Sequence, residues 1–261
     1  MKDTISFYND LAEYYHLVYP DWEASIQKQA DALDAVLKGY QIGRSAKILD
    51  VSCGIGTQAL GLAQLGYQVT GSDISEGALK KAAGYAAERN LEIEFRQADM
   101  REVDQVFSES FGVVLACDNS VPHLLSDADI VAAFQAFHRL LVRDGIVLIS
   151  LRDYANLELG GVQVHPRRVR EEGNSRTLLI DVWEFEADQY TVTIYVIQDD
   201  LEKKPRIRTI RGGRYYAVTI EKIKKLFRQA GFSAVDVLRE DYFQPLIVAQ
   251  KLNSKGLGWE D

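Results

Sequence analysis

The sequence contains few cysteines, and this shortage excludes two kinds of protein. Only Cys53 and Cys117 occur in 261 residues. They lie far apart and outside any metal-ligand spacing, so the sequence predicts neither a disulfide framework nor a metal site. A reducing, cytoplasmic location is the expectation that follows.

Positive charge is also scarce. Lysine and arginine together number 30 against 38 aspartates and glutamates, for a formal net charge of −8. Because phosphate contacts require a basic surface, we expect neither nucleic acid nor an anionic membrane as a partner. No run approaches the roughly 18 consecutive apolar residues of a membrane-spanning helix, and residues 1–22 contain acids but not the apolar segment of a signal peptide. A small-molecule partner is therefore expected.

Short apolar segments alternate with segments of helical periodicity between residues 21 and 151. Strands that alternate with helices form a parallel sheet with helices on both faces. The sequence therefore predicts an α/β, doubly wound fold. The predicted strands are 48–51, 67–73, 93–99, 111–117 and 145–151, and the predicted helices are 21–38, 57–66, 76–90 and 127–141.

From about Asn156, β-branched and aromatic residues replace the helical periodicity. This part of the chain is predicted to form antiparallel strands, with a hairpin loop at 187–189. We expect it to be an insertion that covers the carboxyl edge of the sheet, as a substrate lid, rather than an independent domain. A helix at 219–232 and strands at 234–240 and 244–252 are predicted to follow. The predicted units are a helical cap at 1–40, an α/β domain at 41–155 and 217–252, the β insertion at 156–216 and a flexible tail at 253–261.

The stretch Asp50-Val-Ser-Cys-Gly54-Ile-Gly56 follows the first predicted strand, where open α/β sheets bind ligands. Two interpretations of this turn compete. A dinucleotide turn needs G-x-G-x-x-G to place a pyrophosphate at a helix amino terminus, and Ala59 would then replace the third glycine. Asp50, however, stands four residues before the first glycine, where it would repel a phosphate. That acid suits a cationic group, such as an amine or a sulfonium.

With this acid and this turn, residues 45–152 resemble the Rossmann-like, or class I, S-adenosylmethionine-dependent methyltransferases. The resemblance implies S-adenosylmethionine as cofactor and a mostly parallel seven-stranded sheet. It implies that Gly54 and Gly56 let the methionine end of the cofactor pass close to the backbone. It also implies that an acid after the second strand grips the ribose hydroxyls and that an acid after the third lies near the adenine. The segments VTGSDIS and QADM supply Asp73 with Ile74, and Asp99 with Met100, at those positions.

Three further segments are similar to the glycine, sarcosine and dimethylglycine N-methyltransferases: DNSVPHLL (118–125), ISLRDYANL (149–157) and GGRYYAVTIEKIKKLF (212–227). The likeness implies a small acceptor that carries an amine and a carboxylate. Arg152 would anchor that carboxylate, since a planar guanidinium at the end of a strand offers two charge-assisted hydrogen bonds. The other candidate catalytic residues in these segments are Asn119, His123 and Tyr216.

Each of these candidates also has a structural explanation. Arg152 could instead form an ion pair with a nearby acid such as the adjacent Asp153. Asn119 could instead form hydrogen bonds with the backbone of a turn. His123 is open to serving as a structural hydrogen-bond donor rather than as a base. In place of Tyr216, the preceding Tyr215 could make the contact with the substrate.

The aromatic amino-terminal segment resembles the cap that many of these methyltransferases fold over bound cofactor, which makes Tyr19 a candidate cofactor contact. Lys28 is a candidate to hold the carboxylate of the cofactor, because the glycine methyltransferases use an arginine at a comparable distance before the first strand. Cys117 is expected to be buried and to contribute only its backbone. In the predicted lid, Arg167 and the arginines next to it either meet an anionic substrate or form a solvated basic edge.

The leading hypothesis is therefore methyl transfer from S-adenosylmethionine to the amine of a small carboxylated acceptor such as glycine, sarcosine or dimethylglycine. Three alternatives stay open: a different small nitrogen or oxygen acceptor, a NAD-type oxidoreductase that uses the same turn, and a non-catalytic cofactor-binding protein. Assembly into a homo-oligomer is also left open.

Overall fold

The computed structural model describes residues 2–200, 203–240 and 242–251. The predicted tail at 253–261 lies outside these ranges. The α-helices are α1 (Lys2–Leu11), α2 (Trp22–Gly39), α3 (Thr57–Gln64), α4 (Glu76–Glu88), α5 (Val103–Val106), α6 (Asp127–Leu140) and α7 (Ile220–Gln229). The strands are β1 (Lys47–Asp50), β2 (Gln68–Asp73), β3 (Glu94–Gln97), β4 (Phe111–Ala116), β5 (Leu141–Ser150), β6 (Val162–Glu172), β7 (Ser175–Glu186), β8 (Gln189–Asp200), β9 (Arg206–Tyr216), β10 (Ala234–Leu238) and β11 (Leu246–Gln250).

Seven strands form one sheet in the order β10-β11-β5-β4-β1-β2-β3. β1 pairs in parallel with both β2 and β4, whereas β11 is antiparallel to both of its neighbours. The strand order reverses at β1, so the carboxyl ends of β1 and β4 open a crevice between the strands. The predicted doubly wound, mostly parallel seven-stranded sheet is confirmed.

The central strands are buried because they are apolar on both faces, as strands covered by helices on both sides must be. The helices begin where the sequence supplies a capping side chain. Ser75 caps α4 by accepting the N–H of Ala78, and Ser126 caps α6 by accepting the N–H of Asp129. These local signals explain why the predicted helices were found close to their expected positions.

One strand boundary differs clearly from the prediction. β5 begins at Leu141 rather than at residue 145, because Leu141 already pairs with Phe111 of β4 before the register shifts. The pairing partner, which lies 30 residues away in sequence, extends the strand into a segment that had looked like the end of a helix. Strand ends of this kind depend on neighbours in the sheet.

The chain after β5 forms a separate four-stranded antiparallel sheet in the order β6-β7-β8-β9. Ala187 and Asp188 connect β7 to β8 as a hairpin, and Ala187 takes a positive φ of 55° in place of a glycine. This confirms the predicted antiparallel sheet. Its role as a lid is taken up below as a proposal.

Helix α1 joins the small sheet to the large one. The Oδ1 atom of Asn9 accepts the N–H of Gly77 (2.9 Å) and the hydroxyl of Ser75 (2.7 Å) at the start of α4. On its other side, α1 packs against β9 so closely that a Cβ on Gly213 would lie 2.7 Å from the Phe7 ring. The amino-terminal residues therefore cover the carboxyl edge of the large sheet. Among the described residues, no helix has the length and apolar character needed to cross a membrane.

Candidate active site

The turn between β1 and α3 places an acid and two glycines at the carboxyl edge of the sheet. Asp50 is almost fully buried (1% exposed), and one of its oxygens accepts the N–H of Ser52 at 3.3 Å. The other oxygen is buried and has no hydrogen-bond partner in the described part of the chain. Burial raises the pKa of Asp50 to about 7, and the charge of nearby Asp73 adds to this rise. An unsatisfied buried carboxylate is a strong acceptor for a cationic amine.

The two glycines of this turn do different things. Gly54 has a φ of +53°, and a Cβ there would meet no atom within 4 Å, so the residue opens onto empty space. Gly56 has a φ of +97°, and a Cβ there would lie 3.2 Å from the Leu60 side chain. Gly56 therefore starts α3 in a left-handed conformation and packs inward, whereas Gly54 is the residue that leaves clearance for a ligand.

Two more acids end the neighbouring strands. Asp73 accepts the N–H of Gly54 and the N–H of Ser75, both at 2.9 Å, so it ties the glycine turn to α4. Because a carboxylate can accept about four hydrogen bonds, Asp73 retains capacity for hydroxyl groups. Asp99 instead forms an ion pair with Arg101 at 2.7 Å, and Arg101 bridges to Asp129 at 2.8 Å.

These elements surround a cavity of about 1080 Å³, counted to its open mouth, which we call the front cavity. Its walls combine the glycine turn, the ends of β2 to β4 and the amino-terminal tyrosines. Six of the predicted cofactor contacts line it: Tyr19, Gly54, Ile74, Asp99, Met100 and Cys117. The predicted catalytic residue His123 lines it as well. Cys117 is buried as expected, and burial raises the pKa of its thiol.

The loop after β4 contains two consecutive residues in the left-handed conformation, Asp118 (φ 56°) and Asn119 (φ 62°). The loop is held to the end of β5, since the N–H of Asp118 donates to the Ser150 hydroxyl (2.8 Å) and the N–H of Asn119 to the Ser150 carbonyl (3.0 Å). The Asn119 side chain is buried against the Tyr154 hydroxyl (2.8 Å) and accepts the N–H of Arg152 (3.1 Å). Asn119 therefore positions the residues around it.

Arg152 lies behind this loop in a smaller space of about 440 Å³, the inner chamber, which Asn119 and Tyr215 also line. Its guanidinium donates to the Tyr190 hydroxyl (2.8 Å) and lies 4.7 Å from the ring centre of Trp183. Burial works against its charge, but the phenolic oxygens and Asp118 outweigh burial and raise the pKa of Arg152.

Asp153, the alternative partner for Arg152, forms its ion pair with another arginine. Asp153 binds Arg239 at 2.7 Å. Among the described residues, Arg152 forms no ion pair with a carboxylate. The alternative in which Arg152 and Asp153 simply neutralise each other is therefore wrong, and a half-buried cation faces the chamber.

His123 links the front cavity to the small sheet. One ring nitrogen lies 2.7 Å from the carbonyl of Arg214, which can only accept, so this nitrogen carries the proton of the neutral ring. The other lies 2.6 Å from the Tyr8 hydroxyl and accepts from it. Burial lowers the pKa of His123 to about 4, so the ring is neutral at physiological pH. His123 thereby orients Tyr8.

Five predicted site residues do not line the front cavity or the inner chamber. Asp50, Gly56 and Asp73 belong to the glycine turn and the strand ends next to the front cavity, whereas Lys28 and Tyr216 lie elsewhere. Lys28 is exposed and lines a third space of about 1230 Å³, the side cavity, together with Tyr19. The Tyr216 hydroxyl points toward Asp127 (2.9 Å) and Lys222 (2.6 Å) instead. Its neighbour in the sequence, rather than Tyr216 itself, faces the chamber, because adjacent residues of a strand point to opposite sides.

Several residues at the site were not singled out as site residues from the sequence. Trp183 and Tyr190 come from the small sheet, and their aromatic strand pattern fits an ordinary core equally well. Arg101 lies two residues after the predicted acid Asp99, but nothing in the sequence predicts their pairing. Tyr8 belongs to the aromatic amino-terminal segment, where helical spacing alone does not distinguish one tyrosine from another.

The residues present fit a cofactor that carries an amine and a nucleoside. The orphaned oxygen of Asp50 suits the amine, the open face of Gly54 gives the backbone clearance, and the remaining lone pairs of Asp73 suit hydroxyl groups. In the described part of the chain, no three His, Cys, Asp or Glu side chains come together as a metal site would require.

Comparisons with known proteins agree with this geometry. Residues 48–145 match the family described as methyltransferase domain. A glycine/sarcosine N-methyltransferase of Parasynechococcus marenigrum (strain WH8102) is 28% identical over 144 residues, which are 55% of this chain and 50% of the relative. A ubiquinone biosynthesis O-methyltransferase of Alkalilimnicola ehrlichii is 36% identical over 104 residues, 40% of each chain. The chain thus spans about half the length, or less, of these curated relatives.

Among solved structures, the S-adenosylmethionine-bound amino pentose methyltransferase CalS10 of Micromonospora echinaspora superimposes with a TM-score of 0.76. It shares 18% sequence identity, with 92% of this chain and 95% of that chain covered. At this identity the similarity shows the fold. The acceptors that these three proteins are named for differ, so the comparisons leave the acceptor of this chain open. The family match thus places a methyltransferase domain at residues 48–145, and the shared fold extends over most of the chain.

Proposed function

We propose that the chain transfers a methyl group from S-adenosylmethionine to the amine nitrogen of a small carboxylated acceptor. Glycine, sarcosine and dimethylglycine are the first candidates. The observation that carries this proposal is the half-buried guanidinium of Arg152, which lines the inner chamber and has no carboxylate partner among the described residues. An acceptor carboxylate would pair with this charge through two parallel hydrogen bonds.

The size and position of the inner chamber support a small acceptor. At about 440 Å³ the chamber is less than half the size of the front cavity. Tyr8, Tyr15 and Asp118 line both spaces, so a molecule in the chamber lies next to the front cavity. An acceptor anchored at Arg152 would therefore present its other end toward the bound cofactor.

On the cofactor side, we propose that Asp50 receives the amine, Asp73 the ribose hydroxyls and Asp99 the region of the adenine. Ile74, Met100 and the backbone of Cys117 would then form the cavity wall, as their positions allow. Lys28 stays a proposal for the cofactor carboxylate, with less support because it lines the side cavity.

S-adenosylmethionine, when bound, supplies a methyl group on a sulfonium. The residues of this chain contribute position, because alignment of the reacting atoms supplies much of the rate of a two-substrate reaction. Arg152 would hold one end of the acceptor, and His123 would fix the Tyr8 hydroxyl over the boundary between the two spaces. The small sheet contributes Arg167 and Tyr215 to the chamber, which fits the proposed lid that excludes water. The two buried free cysteines suit the cytoplasm, which we propose as the location.

A panel of acceptors tests the proposal. The purified chain is incubated with S-adenosylmethionine and each of glycine, sarcosine and dimethylglycine, and formation of S-adenosylhomocysteine is measured. Methylamine and dimethylamine serve as controls that lack the carboxylate. We expect turnover of at least one carboxylated amine and at least 100-fold lower kcat/KM for its control, the loss expected when a bidentate charge-assisted contact is missing. Turnover of an amino sugar or a phenol instead, with none of the three amines methylated, would show that the acceptor class is wrong.

A further inference from the structure

Asp118 occupies a position that no other described residue shares. It lines the front cavity, the inner chamber and the side cavity together. The front cavity holds the proposed cofactor contacts, and the inner chamber holds Arg152. The Asp118 carboxylate therefore lies at the junction between the two proposed substrates.

The surroundings of Asp118 hold its carboxylate in place. The hydroxyls of Tyr15 and Tyr19 both donate to the Oδ2 atom at 3.0 Å. Each hydroxyl therefore donates its proton to Asp118. Burial, and after it the negative charge of this carboxylate, raises the pKa of both tyrosines. Oδ1 accepts no hydrogen bond from the described residues, so this oxygen keeps its capacity to accept. Among the described residues, Asp118 also forms no ion pair with a lysine or arginine.

Opposite charges separated by a short distance match an amino acid. Asp118 is close enough to Arg152 for its charge to contribute to the raised pKa of that residue, and the two line the same chamber. The lining of the chamber thus offers both a cation and an anion. A zwitterion with its carboxylate at Arg152 places its ammonium group at the anion.

We propose that Asp118 binds the ammonium group of the acceptor and accepts its proton, so that the amine becomes nucleophilic at the boundary of the front cavity. This inference rests on the proposed function and extends it with a second catalytic contact. The acceptor class that follows is a zwitterionic amino acid small enough for the inner chamber.

The proposed methyl transfer begins with a proton transfer from the acceptor nitrogen. The acceptor ammonium gives one N–H proton to the Asp118 carboxylate and keeps the electron pair. That pair forms the new bond from nitrogen to the methyl carbon, while the bond from the methyl carbon to sulfur breaks and leaves its electrons on sulfur. The product nitrogen carries the positive charge, and the proton on Asp118 passes to solvent.

The experiment compares sarcosine with butyrate, in which a methylene replaces the amine and the carboxylate stays. Binding of each is measured by calorimetry to the chain saturated with S-adenosylhomocysteine, for the wild type and for Asp118→Asn. Asparagine tolerates the left-handed conformation and keeps an oxygen for the two tyrosines, but it carries no charge. Asp153→Asn is the matched control, because Asp153 lies in the neighbouring loop, pairs with Arg239 and lines none of the three cavities.

We expect the wild type and Asp153→Asn to bind sarcosine at least 10-fold more tightly than butyrate. Asp118→Asn should weaken sarcosine binding by about 10- to 100-fold, as the loss of a hydrogen bond to a charged group predicts, and should leave butyrate binding within 2-fold. If Asp118→Asn keeps the preference for sarcosine, Asp118 is a structural anchor for the tyrosines and the inference is overturned.

The wild type alone provides a second measurement that needs no variant to fold. Equal affinity for sarcosine and butyrate in the wild type would also overturn the role of Asp118, while binding of both would leave the carboxylate site at Arg152 intact. If the wild type binds neither compound, the proposed function fails first and the inference fails with it.

Discussion

Replacement of Arg152 by methionine separates a binding role from a structural one. In the folded chain the guanidinium makes one hydrogen bond to Tyr190 (2.8 Å) and stacks over Trp183 at 4.7 Å. Losing the hydrogen bond costs about 1 kcal/mol, and losing the stacking about 0.5–2 kcal/mol. Tyr190 keeps a partner in the Tyr154 hydroxyl at 3.0 Å, so no buried hydroxyl is left unsatisfied.

Against these losses stands the burial of a charge without a counter-ion. Because Arg152 is only half-buried and nearby oxygens favour its charge, the relief from removing this charge is small. We therefore expect Arg152→Met to lose no more than about 2 kcal/mol of unfolding free energy. The same change removes the proposed carboxylate contact, which at about 3 kcal/mol corresponds to roughly 100-fold in acceptor affinity.

The assay pairs urea unfolding with steady-state kinetics at saturating S-adenosylmethionine, with sarcosine as the varied substrate. Arg143→Met is the control, because Arg143 is exposed and, within the described part of the chain, forms an ion pair only with the adjacent Asp144, at 3.5 Å. We expect kcat/KM to fall about 100-fold in Arg152→Met and to stay unchanged in the control. A loss of more than about 2 kcal/mol of stability, together with an unchanged KM, would refute the reasoning and make Arg152 a structural residue.

Three further predictions concern the turn and the buried histidine. Gly54→Ala should lower the free energy of unfolding by about 1–2 kcal/mol, because alanine is strained at a positive φ. It should also weaken the binding of S-adenosylhomocysteine in calorimetry, and unchanged binding would contradict the proposal that Gly54 leaves space for the cofactor. Burial raises the pKa of Asp50 to about 7, so its stabilising contribution is full below the unfolded pKa near 3.9 and is lost as pH rises through 7. The free energy of unfolding in urea should fall between pH 5 and pH 8 by up to about 2.5 kcal/mol more in the wild type than in Asp50→Asn, and equal differences would contradict this. Burial lowers the pKa of His123 to about 4, so the contribution of His123 to the free energy of unfolding is full above pH 6.5 and is lost as pH falls through 4. An inflection in kcat near pH 6.5 that disappears in His123→Gln would contradict a neutral ring.

The order of helices and strands could be predicted because each element carries its own signal. Apolar strands, serine caps such as Ser75 and Ser126, and the glycines that end helices all act within a few residues. The start of β5 at Leu141 could not be predicted in this way, because pairing with Phe111 of another strand decides it. The short helix α5 also went unpredicted, since four residues carry too little periodicity.

The positions of the first turn and of the acids at the strand ends follow from the sequence alone. Asp50, Gly54 and Asp73 belong to a strand, a turn and the next strand end, so their spacing places them at one edge of the sheet. Only the tertiary structure decided which charges meet. It paired Asp153 with Arg239 across 86 residues and left Arg152 without an acid among the described residues.

Tertiary structure likewise brought Tyr15 and Tyr19 to Asp118, about 100 residues further along the chain. Hydrogen bonds and ion pairs in a folded protein depend on burial and on which surfaces pack together, because a buried charge must find a partner or stay costly. No spacing within one segment contains that information. The turn was therefore predictable from the sequence, whereas the junction at Asp118 exists only in the folded chain.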